Sequence, residues 1–549
     1  MAPRADTALK PAGDPQAWVK AFADAPADQR LCAAFAGLVA DTTARLCQQA
    51  PLRLDSGFDA ALMSGLSARL APVAAPALCV ELASARDRGE LQGGTPEARF
   101  DAFVFGLAAG RYAARLWSAY PTMIETVAAM AAQYAGFINE LMIRLGQDWE
   151  ALNASFCHGQ GKLSALTDIA FCGDAHGGGR MVTRLSARSD RGIIDIYYKP
   201  RPIAAEAAFH GLLARLAQAL GDVHSAPPLI VRDGYGWQGS VAYSPCAHRE
   251  AVTAYYRRFG HLAATCHLLL ARDLHAGNIV ADAAHPVLID AEGVMPPRFG
   301  FHPPAEAMAR GHLAQSLLLP MAQTIGQGWR DDSAVSGIAG TAGPLQRGWR
   351  AEGTDQMSPV WRPVPARPAA NRPCLEGAAI DPLNYEAAFT EGFAEAFRAI
   401  GRLSKTLRGE HSPLRAFAGV SQRVALRNTG AYRHLLARSY AARYWAEPGT
   451  RAALLDGLAK DQSGAGVIPR IAPHERADLL DGDIPIFRTV CDRPGVMDGR
   501  GETVELPVME TGFSRVLKHL QTNFTEAALA HQRAVIAASF TERRRVQQG

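Results

Sequence analysis

The chain has 549 residues, and its 57 basic and 53 acidic side chains leave a formal net charge of only +4. This length is enough for more than one domain and for a large hydrophobic core. Such a balanced charge excludes the strongly basic class of nucleic-acid-binding proteins, so we expect no nucleic-acid partner.

The cysteines and the N-terminal residues indicate where the protein works. Nine scattered cysteines include no C-x-x-C pair, which predicts reduced thiols rather than disulfides or zinc sites. Residues 1–15 lack the apolar segment of a signal peptide, and we expect no stretch apolar enough to span a membrane. We therefore expect a soluble, cytoplasmic protein.

Residues 1–155 are rich in alanine and are predicted to form an N-terminal helical region without catalytic residues. Apolar residues recur at helical spacing in Leu31–Leu46, Phe58–Leu82 and Phe100–Leu152. Prolines are expected to divide these stretches into separate helices, at Pro51, Pro72, Pro76 and Pro121.

Residues 156–300 are predicted to form one domain, which begins with a glycine-rich loop. The glycines Gly177, Gly178 and Gly179 precede strand-like alternation in Met181–Leu185 and then in Ile193–Tyr198, which predicts an antiparallel hairpin. Amide groups of such loops bind phosphate, although this loop lacks the Gly-Lys-Ser/Thr of a P-loop and an ordinary turn is the alternative.

Lys199 closes the second of these strands and precedes a predicted helix, Ala204–Leu220. Protein kinases carry the lysine that pairs with ATP phosphates at such a place, and Glu206 is its candidate partner. The alternative is a solvated lysine at the end of a strand.

The helix Arg249–Leu270 leads to a polar loop with Asp273, His275 and Asn278. The apolar run 287–289 follows as a short buried strand that ends at Asp290. Because Mg²⁺ prefers oxygen ligands, Asn278 and Asp290 suit a Mg-ATP site, while Asp273 or His275 could orient or deprotonate a hydroxyl. For this motif alone, the alternative is a polar loop beside an ordinary strand. The order of glycine loop, lysine strand, helix, catalytic loop and metal strand, however, predicts that residues 156–300 form a kinase-like core.

The second half of the chain is divided at residue 420. Residues 301–420 are predicted to form an activation-loop-like insertion that ends in helices, including Tyr385–Leu407. Residues 421–549 are predicted to contain a strand from Arg423 to Thr429 and a closing helix, Phe513–Phe540.

Taken together, these motifs resemble the dehydratase domain of LanM-type class II lanthipeptide synthetases. The resemblance is carried by Gly173-Asp174-x-His176-x-x-Gly179-Arg180, Tyr198-Lys199-Pro-Arg201, Tyr235-Gly-Trp237, Asp273-x-His275-x-x-Asn278, Asp290-x-Glu292, Asn371-x-Pro373, Gly392-Phe393, the segment 423–429 and Gly482-Asp483-Ile-Pro485.

The resemblance implies an α+β fold, with a lipid-kinase-like bilobal core and large helical N-terminal and C-terminal additions. It also implies an enzyme that uses ATP and Mg²⁺ to phosphorylate Ser and Thr of a ribosomally made precursor peptide with a leader. The same enzyme would then eliminate phosphate to give dehydroalanine and dehydrobutyrine.

The resemblance also assigns roles to individual residues. Phosphorylation would use Lys199, Asp273, His275, Asn278, Asp290 and Glu292, of which Asn278, Asp290 and Glu292 would hold the metal. Elimination would use Asp174, His176, Arg423 and Thr429, and which residue is the base stays open. The guanidinium of Arg423 suits phosphate oxygens, and Lys199 could serve both steps because each places negative charge on the same phosphate.

Full-length synthetases of this family continue into a zinc-dependent cyclase, whereas this chain ends at Gly549. We therefore expect dehydration without thioether cyclisation, with a separate cyclase or other modifying enzyme and an export transporter as further candidate partners. Two alternative functions stay open: a peptide Ser/Thr kinase that does not eliminate phosphate, and a non-catalytic subunit that binds the precursor.

Overall fold

The structure is a computed structural model that describes residues 8–157, 161–300, 313–325, 328–338, 343–364, 369–460 and 467–548. Within these residues the helices are α1 (Pro15–Ala21), α2 (Ala27–Arg30), α3 (Ala36–Gln49), α4 (Phe58–Asp87), α5 (Pro96–Ala108), α6 (Ala113–Ala119), α7 (Pro121–Phe156), α8 (Ala204–Ala219), α9 (Arg249–Leu268), α10 (Glu386–Arg408), α11 (Thr429–Ser439), α12 (Thr450–Leu455), α13 (Ile468–Leu480), α14 (Gly512–Thr522) and α15 (Glu526–Gln548).

The strands are β1 (Leu163–His176), β2 (Arg180–Ser189), β3 (Gly192–Lys199), β4 (Leu229–Arg232), β5 (Tyr235–Gly239), β6 (Ile279–Asp282), β7 (His285–Leu288), β8 (Arg298–Phe299), β9 (Gln323–Ile325), β10 (Gly328–Arg330), β11 (Leu345–Arg350), β12 (Ser358–Pro363), β13 (Cys374–Leu375), β14 (Ala378–Ala379), β15 (Ser421–Val424), β16 (Phe487–Val490), β17 (Val496–Asp498), β18 (Thr503–Val504) and β19 (Val508–Glu510). Short 3-10 turns occur at Leu31–Phe35, Ala276–Asn278, Ala314–Ser316, Pro382–Tyr385, Pro413–Phe417, Ala442–Tyr444 and Asp456–Lys460.

The chain divides into two compact units, each built from separate stretches of sequence. Unit 1 comprises Met1–Pro200, Gln346–Arg362 and Asn428–Ile486, and unit 2 comprises Arg201–Leu345, Pro363–Arg427 and Phe487–Gly549. The four predicted segments stay a prediction. All nine cysteines are free thiols.

The long helices α4 and α7 form the core of unit 1. The expectation that Pro72 and Pro76 separate two helices is wrong, because α4 runs through both of them. Pro76 has no N–H to donate to the carbonyl of Pro72, four residues earlier. The Nη2 of Arg347 donates to that carbonyl instead, so the helix continues with the carbonyl satisfied. Pro121, in contrast, occupies the first turn of α7, where proline is favoured.

Among the described residues, helix α4 is long and apolar enough to cross a membrane, by length and composition only, which does not contradict the expectation of no membrane span. However, 72% of its most apolar window is buried inside the protein, which is typical of the core helix of a soluble protein as well. This finding is therefore weak evidence for a membrane span.

An antiparallel sheet of β1, β2 and β3 packs on the helices of unit 1. The predicted pairing of the second and third of these strands is confirmed, with Arg184 opposite Tyr197 and Leu185 opposite Ile196. The glycine loop directly precedes β2, as predicted, and it joins β2 to β1, a strand that the sequence did not reveal. The buried residues of β1 are Leu163, Ala165, Leu166 and Ile169, and their spacing is not the strict alternation that marks a strand in sequence.

The crossing of α9 and α10 forms the centre of unit 2. A Cβ added to Gly260 would lie 2.2 Å from the carbonyl oxygen of Phe389. A Cβ added to Gly392 would lie 2.0 Å from the carbonyl oxygen of Arg257. Glycine at both positions therefore allows the two backbones to touch. Phe389 and Phe393, one turn apart, fill the core beside this crossing.

Three further predicted elements of unit 2 differ in extent from the elements in the structure. The predicted strand at 287–290 is part of the hairpin β6–β7. The predicted strand from Arg423 to Thr429 is shorter than expected, because β15 ends at Val424. The predicted closing helix Phe513–Phe540 is two helices, α14 and α15, since residues 523–525 interrupt it.

The predicted insertion 301–420 contains short strands and α10 where it is described. Residues 301–312, 326–327, 339–342 and 365–368 of that insertion lie outside the described residues.

Candidate functional site

The glycine loop of unit 1 is held by a buried carboxylate. Asp483 accepts hydrogen bonds from the N–H groups of Gly178, at 2.6 Å, and Gly179, at 3.0 Å. Arg69 Nη2 lies 3.3 Å from the same carboxylate, which is 1% exposed. The residues Gly177, Gly178 and Gly179 have φ angles of 49°, 92° and 81°, which only glycine adopts readily. Glycine is therefore favoured at these three positions because the turn requires positive φ angles.

This arrangement bears on the prediction that the loop cradles phosphate. The amide groups of Gly178 and Gly179 already bind Asp483, so a phosphate would have to displace a carboxylate to reach them. Phosphate binding by Gly177, Gly178 and Gly179 stays a prediction, and the geometry of this turn argues against it.

The predicted elimination residues of unit 1 lie around this turn. Asp174, near the end of β1, binds Arg433 of α11 through two oxygens, at 2.9 and 2.8 Å. Thr429 begins the same helix, one turn before Arg433. The N-terminus of α11 is capped by Asn428, whose side chain accepts from the N–H of Gly430 at 2.7 Å.

His176, the last residue of β1, has a defined protonation pattern. Its Nδ1 lies 2.7 Å from the carbonyl oxygen of Ile484, and that oxygen can only accept. Nδ1 therefore carries the proton, and in the neutral ring the lone pair is on Nε2. The backbone of Ile484 also donates to Ala175, which ties the 482–486 segment to β1. In this form His176 can accept a proton at Nε2.

A cavity of about 570 Å³ lies beside these residues within unit 1. Its walls are mostly apolar and come from α4, α7, β1 and α11. Asp174 and Arg433 contribute to the wall, together with Ile169, Phe171 and Leu436. The cavity therefore offers volume for an apolar group next to a predicted catalytic residue.

Lys199 ends β3, as predicted, and is only 5% exposed. A lysine charge is rarely buried to this extent without a partner, so the alternative of a solvated strand end is wrong. Its role toward ATP and its pairing with Glu206 stay predictions.

The polar loop of unit 2 presents its predicted residues in one compact turn. His275 Nδ1 accepts from the N–H of Gly277 at 3.0 Å, and the Asn278 side-chain oxygen accepts from the N–H of His275 at 3.3 Å. Because Nδ1 accepts, the neutral ring of His275 carries its proton on Nε2, the reverse of His176. Asp273 has φ 59°, an uncommon conformation for a non-glycine residue.

The hairpin β6–β7 brings Asn278 and Asp290 to its same open end. The first paired residues are Ile279 and Leu288, and the N–H of Ile289 donates to the carbonyl of Asn278 at 2.8 Å. Asn278 directly precedes one strand, and Asp290 follows the other by two residues. The chain path therefore holds these two predicted metal ligands close to one another.

Arg201 connects the acidic residues of this hairpin. Its guanidinium lies 2.7 Å from Glu206, 3.0 Å from Asp290 and 3.3 Å from Glu292. Burial alone would lower the pKa of Arg201, but the three carboxylates hold it above its usual value. Arg201 is thus a buried, permanently charged group that orients both predicted acidic ligands.

Two further arginines extend the positive charge of this region. Arg423 Nη1 lies 3.8 Å from Asp273, and the N–H of Arg423 donates to the carbonyl of Glu292. Arg488 lies directly opposite Arg423 in the β15–β16 pair, and 3.8 Å from Glu292. Burial lowers the pKa of Arg488, as do Arg201 and Arg423, against the opposing effect of Glu292. An anion placed here would relieve the repulsion between neighbouring guanidinium groups.

The oxygen donors of unit 2 fit magnesium. Asn278, Asp290 and Glu292 offer amide and carboxylate oxygens, which Mg²⁺ prefers, and substrate phosphates normally complete its octahedron. Among the described residues, no group of three His, Cys, Asp or Glu side chains is arranged to hold a metal. Metal binding would therefore depend on the amide of Asn278 and on the nucleotide.

Each unit thus gathers part of the predicted set. Unit 1 holds Asp174, His176, Lys199 and Thr429, and unit 2 holds Asp273, His275, Asn278, Asp290, Glu292 and Arg423. The sequence motifs predicted no role for Asp483, Arg201 or Arg488. Two of them could have been identified as candidates from their place in the motifs, because Asp483 lies in Gly-Asp-Ile-Pro and Arg201 lies two residues after Lys199.

Comparison with known proteins adds a family to this geometry. The sequence family described as a domain of unknown function (DUF4135) matches residues 120–490, which include every predicted site residue. The chain is also similar to the lacticin 481/lactococcin biosynthesis protein LcnDR2 of Lactococcus lactis subsp. lactis, with 21% identity over 231 residues. That similarity covers 40% of this chain and 24% of the relative, so the chain spans much less than the relative's full length. Because the family match takes in most of its sequence, the protein belongs to the DUF4135 family.

Proposed function

We propose that this protein modifies a lanthipeptide precursor, as an ATP-dependent dehydratase of Ser and Thr residues. The reaction would transfer the γ-phosphoryl group of ATP to a hydroxyl and then eliminate the phosphate. The observation that carries the proposal is the hairpin β6–β7, which holds Asn278 and Asp290 at one end beside an arginine-rich region. Similarity to a lacticin 481/lactococcin biosynthesis protein supports the class of substrate.

In the first step, the side-chain oxygen of Ser or Thr attacks the γ-phosphorus, ADP leaves, and the hydroxyl proton passes to a base. His275 is poorly suited as that base, because its Nδ1 is occupied by Gly277 and its Nε2 carries a proton. Asp273 is half-exposed and carries a carboxylate in the same turn. We therefore assign proton acceptance to Asp273, and hydrogen-bond donation to His275.

Magnesium, when bound, would neutralise the charge of the transferring phosphoryl group. Asn278, Asp290 and Glu292 would hold it, with Arg201 orienting the two carboxylates. Lys199 would bind ATP phosphate oxygens. We also propose a lipid-kinase-like core. Its components would be the strands β1, β2 and β3, which end in the buried Lys199, and, in unit 2, the polar loop with the hairpin β6–β7.

In the second step, a base removes the Cα proton of the phosphorylated residue. The electron pair of that C–H bond forms the Cα=Cβ bond, the Cβ–O bond breaks, and phosphate leaves. We assign the base to His176, whose Nε2 carries the lone pair in the neutral ring. Asp174 is engaged by Arg433 and is less suited to the role. Arg423 would stabilise the leaving phosphate.

The test uses purified protein, ATP, Mg²⁺ and a lanthipeptide precursor peptide, followed by mass spectrometry. Asp290→Asn should abolish modification through loss of a metal ligand, whereas Asp282→Asn, on the same hairpin, should not. Arg423→Ala should leave the peptide as phosphate esters. Unchanged dehydration by Asp290→Asn would contradict the metal assignment, and unmodified peptide from Arg423→Ala would move Arg423 to the first step.

A further inference from the structure

Residues 331–338, which follow β10, pack against the polar loop of unit 2. The N–H of Ala276 donates to the carbonyl of Asp332 at 2.8 Å, and His275 forms an antiparallel bridge with Ser333. A Cβ added to Gly337 would lie only 2.6 Å from the Cβ of Ala276, so glycine permits this approach. The position of the loop therefore depends on the position of this segment.

A buried carboxylate holds the 331–338 segment in its turn. Asp331 is 1% exposed, and its Oδ1 accepts from the N–H of Ser333 at 2.9 Å. Its Oδ2 accepts from the hydroxyl of Ser336 at 2.5 Å, and the hydroxyls of Ser333 and Ser336 lie 3.0 Å apart. Ser333 and Ser336 are themselves fully buried. Asp331 thus fixes the turn from inside.

The charge of Asp331 is compensated from the last helix of the chain. Arg543 of α15 donates from Nε to Asp331 Oδ2 at 3.0 Å, and the two side chains are 3% and 0% exposed. The guanidinium also lies 4.1 Å from the ring centroid of Trp329, in β10. Such a buried ion pair contributes little net stability, because desolvation offsets the attraction. The buried contacts of Arg543 with Asp331 and Trp329, however, leave the side chain of Asp331 few alternative conformations.

We propose that Arg543 is a positioning residue for phosphoryl transfer. Through Asp331 it holds the 331–338 segment, and the segment holds Asp273, His275 and Asn278 in the arrangement that the reaction requires. This inference rests on the proposed function of that loop. It assigns Arg543 no contact with ATP or with the peptide.

The test compares two substitutions on α15. Arg543→Met should lower kcat for phosphorylation by about 100-fold, the order expected from misplacing catalytic groups by about 1 Å, with little change in KM for ATP. Arg544→Met is the matched control, because Arg544 binds Glu386 at 2.6 Å at the partly exposed surface. Arg543→Lys keeps the cation and one hydrogen bond, and should recover part of the loss.

Hydrogen exchange supplies a readout that needs no substrate. Arg543→Met should raise the exchange of the amides of residues 273–278 more than Arg544→Met does, at a temperature where both variants are folded. If the Met variant does not fold, Arg543→Lys takes its place in this comparison. Equal exchange in the 543 and 544 variants overturns the inference, whatever the protein catalyses. Raised exchange without any phosphorylation by the unmutated protein would show that Arg543 holds the loop in place, but it would reject the proposed function of that loop.

Discussion

At the scale of single residues, the two predicted histidines are in opposite tautomers. His176 donates from Nδ1 to a carbonyl, whereas His275 accepts at Nδ1 from an amide. A neutral imidazole can act as a base only at its unprotonated nitrogen. Backbone contacts therefore decide which histidine accepts a proton and which donates a hydrogen bond.

We predict that His176→Gln stalls the reaction after phosphorylation. Elimination should slow by about 10² to 10⁴-fold, the usual contribution of a general base, while phosphate transfer continues. Mass spectrometry of the peptide would detect accumulated phosphate esters. The control is His434→Gln, at an exposed histidine of α11 whose ring centroid lies 4.6 Å from that of Trp361 in a tilted arrangement. Full dehydration by His176→Gln would assign the base to another residue.

A histidine pair in unit 2 predicts acid sensitivity. His210 Nδ1 and His224 Nε2 lie 2.9 Å apart, and burial followed by the charge of His285 lowers the pKa of His224 to about 4. The unfolded chain, with a histidine pKa of about 6.5, binds this proton first as pH falls. The folding stability that neutral His224 contributes is therefore fully present above about pH 6.5 and is lost as the pH falls toward about 4.

Replacing His224 should therefore reduce the acid sensitivity of unfolding. Between pH 7.5 and 4.5 the wild-type protein should lose about 2 kcal/mol of unfolding free energy from this group alone. Thermal unfolding at the two pH values measures the difference, with His531→Gln, an exposed substitution, as the control. An equal pH dependence in His224→Gln and the wild type would show that the pair is not the cause.

At the scale of elements, the glycine turn between β1 and β2 depends on a residue about 300 positions away. Within unit 1, the carboxylate of Asp483 accepts hydrogen bonds from the N–H groups of Gly178 and Gly179 and forms an ion pair with Arg69. A glycine run in sequence predicts a turn but does not identify what the turn binds. Here its amides bind an internal carboxylate.

Asp483→Asn should loosen this turn. The amide keeps one acceptor but loses the charge, so we expect a loss of about 3 kcal/mol in unfolding free energy and faster exchange of the Gly178 and Gly179 amides. Asp456→Asn, which breaks the exposed pair with Arg476, should cost less than about 1 kcal/mol. Similar losses in the two variants would contradict the role of Asp483.

Local patterns predicted most of the elements that carry the site. Helices α8, α9 and α10 begin within one residue of their predicted starts, because apolar spacing and flanking turns define them. The continuity of α4 through Pro72 and Pro76 could not be predicted, since it depends on Arg347, which is distant in sequence. The contacts of Arg201 and Asp483 depend on the tertiary fold in the same way.

At the scale of the whole molecule, the predicted residues are distributed over both compact units. In both units, arginines pair with acidic residues of the predicted motifs: Arg433 with Asp174 and Arg69 with Asp483 in unit 1, and Arg201 with Asp290 and Arg488 with Glu292 in unit 2. The near-zero net charge of the chain conceals these local clusters. Composition therefore gave no reason to expect a nucleic-acid partner, and it could not reveal the arginine clusters that we propose bind phosphate.

The central claim, ATP-dependent dehydration of a peptide, is tested most directly by the intact mass of the precursor peptide after incubation with the protein, ATP and Mg²⁺. The account predicts the loss of one water for each modified Ser or Thr, and no change when ATP is omitted. A gain of one phosphoryl group for each modified residue, without any loss of water, would contradict the dehydratase function and indicate a peptide kinase.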